Sequence, residues 1–228
     1  MVILFDLDET LVNQKDAADV ASQIFLHEFK EQLPYNETTF QKIWWEVMQK
    51  YATLFSEGKI SFQEQRRLRI REIFNQPKIN DEEADRRFAN YLEHYEDNWQ
   101  LFGDVIPCLD SLDRYTLGIV TNGNVVQQRQ KLERFGLEKY FERVLISEEL
   151  GYCKPHREIF LAASSQFGCD PTNCIFVGDS LENDIIGGNR AGMQGIWLNR
   201  DGRRCNDTSV LTIHGLGELK TMIESIMF

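Results

Sequence analysis

Apolar positions along this chain follow two different periods. Val2, Ile3, Leu4 and Phe5 form an unbroken apolar run with β-branched members, the pattern of a strand buried on both faces. The pattern returns at residues 117–120, 144–146, 175–177 and 195–198. Around these later runs the apolar residues recur at three- and four-residue spacing. That spacing predicts helices over 103–113, 125–135, 158–167 and 182–191, and a closing helix over 218–227. Gly136 stops the second of them. Strands alternating with helices predict an α/β fold built on a doubly wound parallel sheet.

The alternation is interrupted once. The stretch from Thr10 to Thr121 is far longer than one crossover helix needs, whereas a helix, a strand and their loops fill Thr121 to Lys154. The insertion therefore follows the first strand. It reads as four helices over 17–33, 40–55, 61–74 and 81–99, with Ile43, Trp44, Val47, Met48 and Tyr51 setting the second apolar stripe. Ser61 followed by Glu64 fits a capping box, and Pro34 and Pro77 fall between helices as breakers. The expected organisation is a core of residues 1–13 and 101–228 with a helical inserted domain over 14–100.

Chemistry collects at the ends of the predicted strands, where an open α/β sheet binds its ligands. The first strand runs straight into Asp6-Leu7-Asp8-Glu9-Thr10. Of two carboxylates placed there, one can attack an electrophile and the other can move a proton to and from a leaving oxygen. Their mutual repulsion implies a hard cation such as Mg2+. The plainer reading of this segment is a strand end with an acidic cap. After the second strand, Thr121-Asn122-Gly123 offers a hydroxyl, an amide and a tight turn that together can cradle an anion, though Asn-Gly is also an ordinary turn. Lys154 precedes Pro155 after the third strand, in the manner of a solvated loop residue. The fourth strand ends in Gly178-Asp179, where Asp179 suits a metal ligand. Asp184 falls in the first turns of the next helix, where an acid also favours the helix dipole.

In this order the four segments resemble the motifs of the haloacid dehalogenase superfamily, specifically its phosphatases. The resemblance covers most of the chain and extends to Gly192 and the strand at 195–198. It departs at Lys154-Pro155-His156-Arg157, where Lys-Pro-x-Pro is usual, and at Gly187-Gly188, where Gly-Ala is commoner. The resemblance implies an α-helical cap inserted after the first motif, over residues 14–100. It also implies Mg2+-dependent hydrolysis of a small phosphomonoester through an aspartyl-phosphate on Asp6. Asp8 is then the general acid and base, and Mg2+ is held by Asp6, the Asp8 carbonyl and Asp179. Leu7, Thr121, Asn122 and Lys154 join Asp6 and Asp8 around the phosphoryl group. Asp184 orients Lys154 or a metal-bound water, and Thr10 fixes the turn carrying Asp8.

Other activities share these motifs. A haloacid dehalogenase uses the same aspartyl ester but has no need of Asp8, because halide leaves unprotonated. A phosphomutase keeps both acids, and a non-catalytic scaffold would have no reason to fill every position. Within the phosphatases the pattern looks most like the branch with nucleotidases and acylneuraminate phosphatases. Substrate choice is expected to rest on the cap and the segment entering it, with Lys15 and Arg67 as candidates. Arg67 has a plainer reading, as a surface arginine paired with Glu64 or Glu72.

Bulk composition agrees with this picture. Hydrophobic residues at 42% and charged residues at 27% describe an ordinary globular protein. A net charge of -11 argues against nucleic-acid partners. No apolar run is long enough for a membrane span, and no secretion leader is expected. Five cysteines without a Cys-x-x-Cys pair suggest reduced thiols. The expectation is a cytoplasmic enzyme, monomeric or weakly dimeric, acting on a small phosphorylated metabolite.

Overall fold

Val2–Phe5 (β1) is fully buried and lies at the middle of a six-stranded sheet in the computed structural model, which describes residues 1–227. Four helices follow: α1 (Gln14–Glu28), α2 (Glu37–Ser56), α3 (Phe62–Ile73) and α4 (Asp81–Asp97). The chain then runs α5 (Val105–Ser111), β2 (Thr116–Thr121), α6 (Val125–Arg134), β3 (Arg143–Ile146), α7 (Ser147–Leu150), α8 (Arg157–Gln166) and β4 (Cys174–Gly178). It closes with α9 (Gly187–Ala191), β5 (Gln194–Leu198), β6 (Leu211–Ile213) and α10 (Leu219–Met227).

The strands are ordered β3-β2-β1-β4-β5-β6, and every pairing is parallel. The order reverses direction at β1, so the carboxyl ends of β1, β2 and β4 border the switch point where such folds bind ligands. The apolar runs lack alternation because both faces are covered. Ile3, Phe5 and Val177 pack in one cluster with Val105 and Ile223, while Leu4, Val120 and Phe176 pack in another with Phe160. Two features escape the sequence pattern. β6 is a three-residue edge strand, and the chain after β4 first forms a wide π-helical turn, Leu181–Ile186, before α9.

The chain divides into two compact units, Met1–Asn13 with everything from Leu101 on, and Gln14–Gln100. The second unit is a four-helix assembly around an aromatic core. Trp44 and Tyr91 ring centroids lie 4.5 Å apart, and Phe25 lies 5.5 Å from Trp44. Its helices start where side-chain caps allow. Asn36, Ser61 and Asn80 each accept a bond from the main-chain N–H three residues on. Among the described residues no helix is long and apolar enough to cross a membrane.

Candidate active site

The Asp6 N–H donates to the Val177 carbonyl at 2.9 Å, so the sheet ladder continues one residue past β1 and points the acid out of its end. The turn that follows is built by main chain. Leu11 and Val12 both donate to the Leu7 carbonyl at 2.9 Å, and Glu9 adopts a left-handed conformation with φ of 61°. Thr10 lies within this turn. Its hydroxyl accepts from the Asp179 N–H at 3.1 Å and ties the first motif to the fourth.

Lys154 is 3% exposed, and its Nζ lies 2.6 Å from Asp6 Oδ1 and 2.7 Å from Asp184 Oδ1. Asn122 holds the lysine in place. Its Oδ1 accepts from the Lys154 N–H at 2.8 Å, and its Nδ2 donates to the Lys154 carbonyl at 3.0 Å. Asp184 is fixed at its second oxygen by the Ser180 N–H at 2.9 Å. Gly178 makes room for this acid, since a Cβ there would lie 2.3 Å from Asp184 Oδ2.

Asp8 is held from α6. Lys131 Nζ donates to its Oδ1 at 2.6 Å, and Gln128 Nε2 donates to its Oδ2 at 2.9 Å. Gln128 Nε2 also reaches Thr121 Oγ1 at 2.8 Å. Both residues escaped the sequence reading. The signal was present: a glutamine and a lysine stand beside Leu132 on the buried stripe of an amphipathic helix, where apolar residues are the rule.

The charges explain what the site can accept. Oxygens of Asp6, Asp179 and Asp184 come within 4.8 Å of one another. Burial pushes the Asp6 carboxyl well above the usual range against the pull of Lys154, and Asp184 and Asp179 add to the push. Burial and then Asp184 raise Asp179 to about 7. Burial opposes the Lys154 ammonium, but Asp184 and Asp6 more than offset it and hold its pKa above the ordinary lysine value. Three acids around one lysine leave excess negative charge on an all-oxygen donor set, which fits a hard divalent cation. Asp184 already spends its oxygens on Lys154 and Ser180, which leaves Asp6 and Asp179 as the freer donors.

The sequence model of the haloacid dehalogenase-like hydrolases matches residues 1–192. The chain belongs to this family. Glyceraldehyde 3-phosphate phosphatase of Methanopyrus kandleri is 32% identical over 206 residues, covering 87% of this chain and 83% of that protein. N-acylneuraminate-9-phosphatase of Mus musculus is 27% identical over 236 residues, covering 98% and 94%. The solved structure of the HAD-hydrolase YfnB from Bacillus subtilis superimposes with a TM-score of 0.80 at 25% identity over 97% of each chain.

Within this haloacid dehalogenase-like hydrolase the two candidate specificity residues differ. Lys15 stands exposed in the first turn of α1. Arg67 is committed to an ion-pair network inside the helical unit. Its Nη2 and Nε bond both oxygens of Asp85, and its Nη1 reaches Asp81 at 2.6 Å. The acids that take it belong to the next helix and are not Glu64 or Glu72, which pair with Arg71 and Lys50. Asp179 has partners that the sequence did not suggest. Trp197 Nε1 donates to its carbonyl at 2.8 Å, and Arg203 Nη2 to the same oxygen at 2.5 Å.

Proposed function

We propose that this protein is a phosphoric monoester hydrolase that cleaves a small phosphorylated metabolite, with a sugar phosphate or related phosphate of a sugar acid as the favoured class. The observation that carries this reading is the separate fixing of two acids at the end of one strand. Asp6 lies against Lys154, while Asp8 is held through both oxygens by Lys131 and Gln128. A dehalogenase has no work for the second acid, because halide leaves without a proton. The two phosphatase relatives, by name, act on phosphates of this class.

Asp6 attacks phosphorus and takes the phosphoryl group as an acyl phosphate. Lys154 and the Thr121 hydroxyl hold the phosphoryl oxygens, with the Leu7 and Asn122 main chain beside them. Asp8 gives its proton to the leaving oxygen, then takes one from the water that releases phosphate. Asp184 and Asn122 keep Lys154 in place. Asp6, the Asp8 carbonyl and Asp179 would hold Mg2+, which when bound neutralises charge gathering on the phosphoryl oxygens. The Bacillus subtilis relative is described bound to magnesium. Residues 1–13 and 101–228 form the catalytic core in this reading, and 14–100 act as a cap that selects among small phosphomonoesters.

The test is phosphate release from a panel of sugar phosphates, acylneuraminate phosphate and nucleoside monophosphates with magnesium present. Free phosphate from at least one of them is expected. Isomerised product without free phosphate identifies a phosphomutase. Halide release from 2-haloacids without phosphatase activity identifies a dehalogenase.

A further inference from the structure

The two α6 side chains that hold Asp8 have been given no role of their own in the mechanism above. Gln128 and Lys131 are 1% and 0% exposed. They stand one turn apart on the helix face that otherwise serves packing. Lys131 Nζ bonds Asp8 Oδ1 at 2.6 Å and Gln128 Oε1 at 2.9 Å, and Gln128 Nε2 bonds Asp8 Oδ2 at 2.9 Å. The three side chains close a ring. Gln128 Nε2 extends it to Thr121 Oγ1 at 2.8 Å and to the Asn122 carbonyl at 3.1 Å.

A buried ammonium is costly to keep, and an apolar residue at either position would fill the stripe at less expense. What the ring gains is orientation. A carboxylate bonded through both oxygens by donors on one helix has its plane and rotamer set. Each of its oxygens still has a second lone pair for a leaving oxygen or a water. The Asp8 side chain remains 21% exposed, whereas that of Lys131 is 1% exposed.

We propose that Gln128 and Lys131 are positioning residues. They aim the Asp8 carboxyl group and, through Thr121, hold it in register with the phosphoryl-binding end of β2. This inference rests on the reading of Asp8 as the group that moves a proton. It predicts a defect that grows with the difficulty of the leaving group, because only a poor leaving group needs the proton that Asp8 delivers.

The experiment uses Lys131→Met, Gln128→Met and Lys131→Arg, with Lys131→Met also placed in an Asp8→Asn background. Turnover and KM are measured with a primary alkyl phosphate and with p-nitrophenyl phosphate. Each Met variant is expected to lose about 10- to 100-fold in kcat on the alkyl ester. The loss on the aryl ester is expected to stay under about fivefold, with KM nearly unchanged. Lys131→Arg is expected to recover part of the loss. In the Asp8→Asn background Lys131→Met should add nothing. Should Lys131→Met fail to fold, Gln128→Met carries the same comparison with the Lys131–Asp8 pair left in place. Equal losses on both esters, or a full further loss in the Asp8→Asn background, overturn the positioning role. If Asp8→Asn itself cleaves the alkyl ester at the native rate, the reading of Asp8 fails. If Asp8→Asn is impaired while both Met variants behave as the native enzyme, this inference alone fails.

Discussion

Lys154 Nζ and Asp6 Oδ1 lie 2.6 Å apart, although one comes after β3 and the other directly after β1. The lysine marks the face of Asp6 on which anionic oxygens can rest. Replacing Asp6 by Asn keeps the shape and removes the nucleophile. Asp6→Asn is expected to lower kcat by at least about 1,000-fold with an unchanged circular dichroism spectrum. Activity within tenfold of the native enzyme contradicts the assignment of Asp6.

Asp8 supports the fold as well as the chemistry. Its carboxylate is the charge partner of the buried Lys131 ammonium. Asp8→Ala is expected to lower unfolding free energy by about 3 kcal/mol, as breaking buried ion pairs does. Combining it with Lys131→Met should restore part of that loss in urea titrations. A single variant as stable as the native protein contradicts the pairing.

Gly178 is required by a close approach. A Cβ would meet Asp184 Oδ2 at 2.3 Å and its Cγ at 2.5 Å, both belonging to a buried side chain held at each oxygen. Gly178→Ala is expected to cost about 1–3 kcal/mol through overpacking and to displace Asp184 from Lys154. Turnover should fall with stability, so a stable and fully active Gly178→Ala variant contradicts the account.

The parts legible in the sequence are those decided locally. Val2–Phe5 followed by Asp6 and Asp8 announces a buried strand with chemistry at its end, because apolar runs and strand ends are short-range features. By its own surroundings Lys154 reads as a loop residue; only the order of the four motifs points it to the phosphoryl group, and the fold brings it to Asp6. Gln128 and Lys131 stand at positions that periodicity marks as packing, and their partner Asp8 lies far away in sequence, beyond β1. Thr10 likewise has a distant partner, its hydroxyl accepting from the Asp179 N–H. Arg67 shows the limit in the helical unit. Helix spacing pairs it with acids on its own helix, while the packing of α3 on α4 gives it Asp81 and Asp85. β6 is too short to carry a pattern of its own.

Metal affinity should follow the proton on Asp179. Burial, with Asp184 nearby, raises this carboxyl to about 7. Without metal the folded chain keeps a proton, up to that pH, that the unfolded chain has already released at ordinary carboxylate values. This group's contribution to stability therefore falls as pH rises through the window. A cation must displace the proton. Magnesium affinity is expected to rise about tenfold per pH unit between about pH 5 and about pH 7 and to level off above. Calorimetric titration in buffers of different ionisation heat reads both the affinity and the proton released. A flat affinity across the window contradicts the assignment of Asp179.

The central claim is that Asp6 carries the phosphoryl group between substrate and water. The direct measurement mixes enzyme, magnesium and a hydrolysed phosphomonoester, quenches within one turnover, and reduces the protein with borohydride before mass spectrometry. An acyl phosphate on a carboxylate is reduced to an alcohol, so homoserine is expected at position 6, and only when substrate is present. Phosphate release in the same samples with Asp6 unmodified, or homoserine at another aspartate, contradicts the claim.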